Sequence, residues 1–291
     1  MGELLWGGHA WMTSRRPRNM RRSPLIEALT NYHCFMPLEG RTAIVTGGAS
    51  GIGRGIADKL AGAGVNVIVA DVCREPKRGM YSDLNQPTDK LLESAHGVES
   101  HYIKTDVSVE SEIIDLISST MNHFDRLDIL INNAGIQIPG GSQDITVEEF
   151  NKVLGVNLTG AFMTAKYALP YLNESSAGRI VNISSVNAYF GAGGAPYAAS
   201  KAALVNLTRE LALEAADAGT TVNAVLPGVV KTSMQELNDE STQLREEEKT
   251  PLSRLGEPED VGNAVRFFCS DGASWITGAE LLVDGGYSAG R

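Results

Sequence analysis

An α/β fold on one doubly wound, mainly parallel sheet is what this sequence predicts, and three observations predict it. Seven short apolar runs recur along the chain, helix-length segments separate most of them, and a glycine-rich turn follows the first run directly. Strands alternating with helices form βαβ units, in which neighbouring strands lie parallel because each crossover carries the chain back to where the last strand began.

The first run, residues 42–46, is a short β-type stretch leading straight into the turn 47–53 and a helix over 54–61. A second run, 65–70, closes on Asp71. Runs at 100–104, 127–132, 179–184, 221–225 and 280–283 complete seven strands, and helices are expected at 109–121, 147–169, 196–216 and 257–268. Two segments break the rhythm. Residues 73–93 are polar and carry Pro76, Gly79 and Pro87, so they read as a long loop. Residues 229–250, rich in Glu, Gln and Ser, read either as a mobile substrate lid or as a solvated surface helix. The first 38 residues show no periodicity and mix Trp with Arg. They read as a disordered N-terminal extension, with the working chain beginning near Met36, or as an Arg-rich transit peptide. The catalytic domain is expected to occupy 39–291.

Composition narrows the function classes. The chain has 291 residues, 43% apolar and 21% charged, which is ordinary for a globular protein. The net charge is −10, with +3 in residues 1–38 and −13 in the remainder. That balance argues against a nucleic-acid partner. No run reaches the ~18 apolar residues of a membrane helix, so no membrane partner is expected. Cys34, Cys73 and Cys269 are odd in number and form no C-x-x-C pair, which fits a reducing, cytoplasmic setting and gives no zinc motif. The five histidines are scattered and H-E-x-x-H is absent, so no metal site is expected.

The turn Gly47-Gly48-Ala49-Ser50-Gly51-Ile52-Gly53 lies between strand and helix, where a dinucleotide fingerprint belongs. Glycines let the backbone approach a pyrophosphate, and the helix N-terminus offers it free N–H groups and a positive dipole end. The spacing is G-x-x-x-G-x-G, and Arg54-Gly55 after Gly53 excludes a P-loop. At the end of the second strand, Asp71 can accept hydrogen bonds from a ribose diol and would repel a 2′-phosphate, which favours NAD over NADP. Arg54, Arg74 and Lys77 are the nearby cations that would act the other way.

Tyr197 and Lys201 are four apart at the start of a predicted helix, hence on one face. A nearby ammonium favours tyrosinate, and such a tyrosine can exchange a proton with an alcohol or ketone. Upstream stand Ser184-Ser185 at a strand end, Asn132-Asn133-Ala134-Gly135, and Asn157 within the expected helix 147–169. Neither serine lies in G-x-S-x-G, so a serine-hydrolase reading fails.

Together with T-G-x-x-x-G-I-G, this ordered set resembles the short-chain dehydrogenase/reductase family from about Leu38 to Gly286. The likeness extends to Asp106-Val107, Pro227-Gly228 with Thr232, Ile276-Thr277-Gly278 and Asp284-Gly285-Gly286. The resemblance implies a Rossmann-like sheet. It also implies Tyr197 as general acid/base, Lys201 as the residue that holds the nicotinamide ribose, Ser185 as the donor to the substrate oxygen, and Asn157 as the holder of a relay water. By the same likeness Asp106 and Val107 flank the adenine, Asn133, Ala134 and Gly135 line the cofactor cleft, and Pro227, Gly228, Val230 and Thr232 pass near the nicotinamide. Ser185 precedes Tyr197 by 12 positions and Ser184 by 13; relatives mostly show 13, which keeps Ser184 as a competitor. The implied activity is NAD-dependent interconversion of a small secondary alcohol and a ketone, in a homotetramer, with a dimer as the next alternative. The alternatives are an NADPH-dependent 3-oxoacyl-acyl-carrier-protein reductase and a dinucleotide sensor without chemistry. A substrate pocket is expected from 137–144, 186–195 and 229–250, including Tyr189, Phe190, Met234 and Leu237.

Overall fold

A computed structural model describes residues 38–77, 86–234 and 246–290. Residues 1–37 of the expected N-terminal extension and 235–245 of the expected lid, Leu237 among them, lie outside the described residues. In chain order the elements are β1 (Thr42–Thr46), α1 (Gly51–Ala61), β2 (Asn66–Asp71), α2 (Thr88–His96), β3 (Ser100–Lys104), α3 (Glu110–Phe124) and β4 (Ile129–Asn132). Then follow α4 (Val147–Leu154), a π-helical segment (Gly155–Thr159), α5 (Gly160–Glu174), β5 (Arg179–Ile183), α6 (Ala195–Ala215), β6 (Thr221–Pro227), α7 (Pro258–Cys269) and β7 (Glu280–Val283).

All seven strands join one parallel sheet in the order β3-β2-β1-β4-β5-β6-β7. Each central strand is covered on both faces, which is why these runs are continuously apolar. Along β1 the side chains alternate between two cores. Ala43 and Val45 pack with Ile56 and Leu60 of α1 and Val261 and Val265 of α7. Ile44 packs on the other face with Leu116, Ala165, Ala168 and Leu211. On the first face α1 and α7 come close because both carry glycine at their crossing. A Cβ on Gly55 would meet the Pro258 Cβ at 2.5 Å, and one on Gly262 would meet the Gly55 carbonyl oxygen at 2.7 Å.

The strand order reverses between β1 and β4, so the crossovers leave those two C-terminal ends in opposite directions and a crevice opens there. Its floor is stitched by side chains. The Thr46 hydroxyl donates to the Ile131 carbonyl (3.1 Å) and accepts from the Asn133 and Ala134 N–H groups (3.0 and 3.1 Å). The Asn133 amide in turn donates to the Thr46 carbonyl at 2.9 Å. At the opposite end of β1, the buried Asp128 carboxylate accepts from Thr42 N–H, Arg126 and Ser175. Burial opposes its ionisation, but these donors prevail and hold the carboxyl below its ordinary range.

Two expectations need correction. The segment 73–93 is not loop throughout, because α2 begins at Thr88. It holds its place by tertiary bonds and the buried Leu92 more than by an apolar stripe. The expected continuous helix 147–169 is broken by a π-helical turn at Gly155–Thr159, which makes room for a side-chain bond described below.

Candidate active site

The glycine-rich turn builds a cradle for an anion. Gly47 has φ of +64°, a left-handed conformation that a side chain would strain. A Cβ on Gly53 would sit 2.1 Å from the Gly47 carbonyl oxygen and 2.5 Å from the Asn133 Nδ2. The helix that follows starts at Gly51, three residues before the expected start, so Gly51, Ile52 and Gly53 form its first turn. Ser50 stands at the N-cap position yet makes no capping bond, and no acidic residue lies in the first turn. Its hydroxyl accepts instead from Lys77 N–H at 2.7 Å. An uncapped helix start with backbone access opened by glycine fits the pyrophosphate of a dinucleotide. Thr232 reaches this cradle too, since a Cβ on Gly51 would lie 3.2 Å from its methyl group.

Asp71 ends β2 beside this turn, its Oδ2 accepting from Ala49 N–H at 3.1 Å. Of the three nearby cations, Arg54 is buried and donates to the Gln86 carbonyl and the Thr88 hydroxyl, both at 3.0 Å. Arg74 is paired with Asp89 at 2.6 Å. Asp106 accepts from the N–H and hydroxyl of its neighbour Ser108, and Val107 is buried behind it, facing Gly160. Asn133, Ala134 and Gly135 leave the end of β4 and line the crevice. Pro227 and Gly228 leave β6, where a Cβ on Gly228 would meet the Asp284 Cβ at 2.8 Å; Val230 is buried just beyond and bridges to Gly256.

Tyr197, Lys201, Ser185 and Asn157 come from three different elements and meet at one place. Tyr197 and Lys201 lie on the first turns of α6, which begins after Gly193 and Gly194, both at positive φ. A Cβ on Gly193 would press on the Tyr197 ring at 2.9 Å. The Lys201 ammonium is buried, donates to the Ile183 carbonyl at 2.8 Å, and lies 5.7 Å from the centre of the Tyr197 ring. Burial pulls its pKa down to about 8. The two serines point opposite ways, as successive residues of extended backbone do. Ser184 is turned inward and donates to the Lys201 carbonyl at 2.8 Å. Ser185 faces the Tyr197 hydroxyl, where their hydrogen bond favours the tyrosinate, and accepts from Asn187 N–H at 3.1 Å.

One electrostatic expectation fails as first framed. Burial raises the Tyr197 pKa, and the opposing influence is Ser185, not Lys201. One of the three Lys201 N–H donors goes to the Ile183 carbonyl, and the nitrogen sits over the ring face, 5.7 Å from its centre.

Asn157 explains the π-helical turn. Its Oδ1 accepts from Ile136 N–H (2.8 Å), and its Nδ2 donates to the Ile136 carbonyl (3.0 Å) and to the Ser200 hydroxyl (3.0 Å). A Cβ on Gly135 would stand 3.5 Å from both Asn157 Oδ1 and Lys201 Nζ, so the space beside Gly135 adjoins both. Sequence reasoning missed Ser200, which is buried and links Asn157 to the Tyr197 carbonyl. Its signal was its place inside Y-x-x-x-K. Tyr189, expected in the substrate pocket, turns its hydroxyl to Glu280 of β7, which also pairs with Arg209. Among the described residues no His, Cys, Asp and Glu side chains group as a metal would need, and no helix is long and apolar enough to cross a membrane.

The chain is similar to several known proteins along most of its length. Residues 47–288 match a family model described as enoyl-(acyl carrier protein) reductase. The chain is 37% identical over 250 residues to a 3-oxoacyl-[acyl-carrier-protein] reductase, FabG, of Aquifex aeolicus, covering 86% of this chain and 98% of that one. It is 35% identical over 254 residues to the 2,5-dichloro-2,5-cyclohexadiene-1,4-diol dehydrogenase LinX of Sphingobium indicum, covering 87% and 98%. A crystal structure of a candidate short-chain alcohol dehydrogenase from Sinorhizobium meliloti superposes with a TM-score of 0.80 at 36% identity, over 88% of this chain and 99% of that one.

The buried ammonium has a measurable consequence. Because the folded pKa of Lys201 lies below the ordinary lysine value of 10.5, its charge opposes folding fully below pH 8, and the opposition fades as pH rises toward 10.5. A shift of this size corresponds to roughly 3 kcal/mol, offset in part by the bond to Ile183. Lys201→Met is therefore expected to be the more stable protein at pH 7, by about 1–3 kcal/mol. Urea unfolding should show that margin narrowing between pH 8 and 10. A constant margin, or a less stable variant, contradicts the reading.

Proposed function

The chain belongs to the short-chain dehydrogenase/reductase family, oxidoreductases that use a nicotinamide dinucleotide on CH–OH groups, and we propose that it interconverts a secondary alcohol and a ketone with NAD(H). The observation that carries the cofactor preference is Asp71 beside the uncapped start of α1, with Arg54 and Arg74 both engaged elsewhere.

The bound nicotinamide supplies the hydride; this chain's residues supply position and protons. Tyr197 acts as general acid or base at the substrate oxygen. Its hydroxyl, disfavoured as an anion by burial, is eased toward tyrosinate by Ser185. A serine hydroxyl carries one O–H donor, so with substrate bound Ser185 turns that donor from Tyr197 to the substrate oxygen, where charge develops during transfer. Ser184 is not the catalytic serine in this reading, since its hydroxyl is committed to the Lys201 carbonyl. Lys201 would hold the nicotinamide ribose hydroxyls with the N–H donors that the Ile183 carbonyl leaves. Asn157 acts by fixing the Ile136 peptide. Both its N–H donors are taken, so it steadies a water beside Gly135 through that peptide and its remaining Oδ1 lone pair. The water would connect Lys201 to solvent as a proton path.

The FabG relative supports a second reading, an NADPH-dependent reductase of an acyl group on a carrier protein. The net charge of −13 outside residues 1–38 speaks against an acidic carrier as partner. Substrates of the first reading are small neutral alcohols and ketones, with Phe190 and Met234 offered as apolar lining of their pocket.

The assembly proposed is a homotetramer. Phe162 of α5, Leu213 of α6 and Trp275 before β7 are exposed by 46%, 75% and 99%, apolar side chains that subunit contacts would cover. Light scattering on the eluting protein should give about four times the 31.1 kDa chain mass, and a 31.1 kDa particle contradicts it.

Tyr197→Phe tests the chemistry. NADH binding should stay within about twofold of the parent, while turnover of any alcohol the parent oxidises should fall by about 10²-fold or more, the range of a lost general acid/base. Retained turnover would remove Tyr197 from the proposed role.

A further inference from the structure

The described parts of the segment after β2 return to the nucleotide turn. Lys77 N–H donates to Ser50, and the Thr88 hydroxyl donates to the Ala49 carbonyl at 3.0 Å. The Ala49 N–H is the group that binds Asp71. One peptide-bonded residue thus joins the first turn of α2 to the ribose end of the site. Next along α2, the Asp89 side chain is only 3% exposed, and its carboxylate takes the Arg74 guanidinium at two points, Nε to Oδ1 at 3.2 Å and a terminal nitrogen to Oδ2 at 2.6 Å.

Arg74 stands three residues beyond Asp71, with its guanidinium carbon 6.0 Å from the centre of the Tyr102 ring. The Tyr102 hydroxyl donates to the Asp71 carbonyl at 2.9 Å, so one ring borders both the end of β2 and the guanidinium. A 2′-phosphate carries close to two negative charges and is matched by the forked guanidinium of an arginine. Of the two nearby arginines Arg54 is buried and committed to Gln86 and Thr88, while Arg74 is half-exposed near the end of β2, and Asp89 fills its fork.

We propose that Asp89 is a specificity-determining residue that holds Arg74 away from the ribose, so that the site rejects a 2′-phosphate twice. Asp71 repels the phosphate, and Asp89 withholds the arginine that would otherwise attract it. The proposal rests on Asp71 being the ribose ligand. Asp89 acts through Arg74 and touches no cofactor, so it is a positioning residue.

The test is fluorescence titration of the full chain with NADH and with NADPH. Asp89→Asn should tighten NADPH by about tenfold or more, the worth of one charge-assisted contact, and leave NADH within about twofold. Asp89→Glu should retain the parent ratio, and adding Arg74→Leu to Asp89→Asn should abolish the gain. Arg74→Leu alone should leave NADPH affinity unchanged, since Arg74 is already occupied; this arm stands even where Asp89→Asn fails to fold. Unchanged NADPH affinity in a folded Asp89→Asn protein, a gain that survives Arg74→Leu, or weaker NADPH binding in Arg74→Leu alone overturns the proposal. A parent that already prefers NADPH overturns the Asp71 reading instead, because the ratio of Asp89→Asn to parent still reads Arg74 by itself.

Discussion

The bond set between Thr46 and Asn133 is the constraint from which the site follows. At the reversal of strand order the sheet pairing of β1 with β4 runs only to Val45 and Ile131, and the last residue of β1 is tied to the chain leaving β4 by side chains. One hydroxyl and one amide do so, and four bonds cross between Thr46 and the Ile131, Asn133 and Ala134 positions. The Asn133 amide also donates to the Gly47 carbonyl at 3.2 Å, which draws the glycine turn against the crevice floor and leaves no room for a side chain at Gly53. With the turn held there, α1 starts at the crevice mouth with its first N–H groups unsatisfied by any capping side chain. Dipole, donors and backbone access arrive together because two strand ends are locked side by side.

The second half of the site runs against stability. A buried ammonium with a single carbonyl partner, two glycines at positive φ before α6, and a π-helical turn in what would otherwise be one helix each oppose folding. All three serve one cluster. The π-helical turn aims Asn157 at Ile136, the glycines seat Tyr197, and Lys201 fills the space beneath the ring. Local rules of good folding fail together around one site, the pattern expected where function and stability compete.

Most strands were legible because a strand buried on both faces must be an apolar run, and all seven fall where those runs lie. The helices that pack an apolar stripe were legible for the same reason. What was missed depends on contacts between distant residues. α2 has few apolar residues and is tied down by Thr88 and Arg54 bonds that no local pattern announces. The π-helical turn carries only Gly155 and Gly160 as a trace, and its cause, Asn157 to Ile136, spans 21 residues. Spacing left Ser184 and Ser185 open, whereas strand geometry sends them to opposite sides, one to the Lys201 carbonyl and one to Tyr197. The direction in which the Tyr197 pKa moves could not be read from a Tyr–Lys spacing, since it is governed first by burial. Close helix crossing at Gly55 and Gly262 was likewise hidden in two glycines more than two hundred residues apart.

The crevice between β1 and β4 is proposed to hold a dinucleotide whose adenosine ribose meets Asp71. Dissociation constants of the parent protein for NADH and NADPH, measured in parallel at one salt concentration, test this most directly. NADH should bind at least about tenfold more tightly, the worth of a carboxylate facing a diol in one cofactor and a phosphate in the other. Equal affinity, or tighter binding of NADPH, would contradict it.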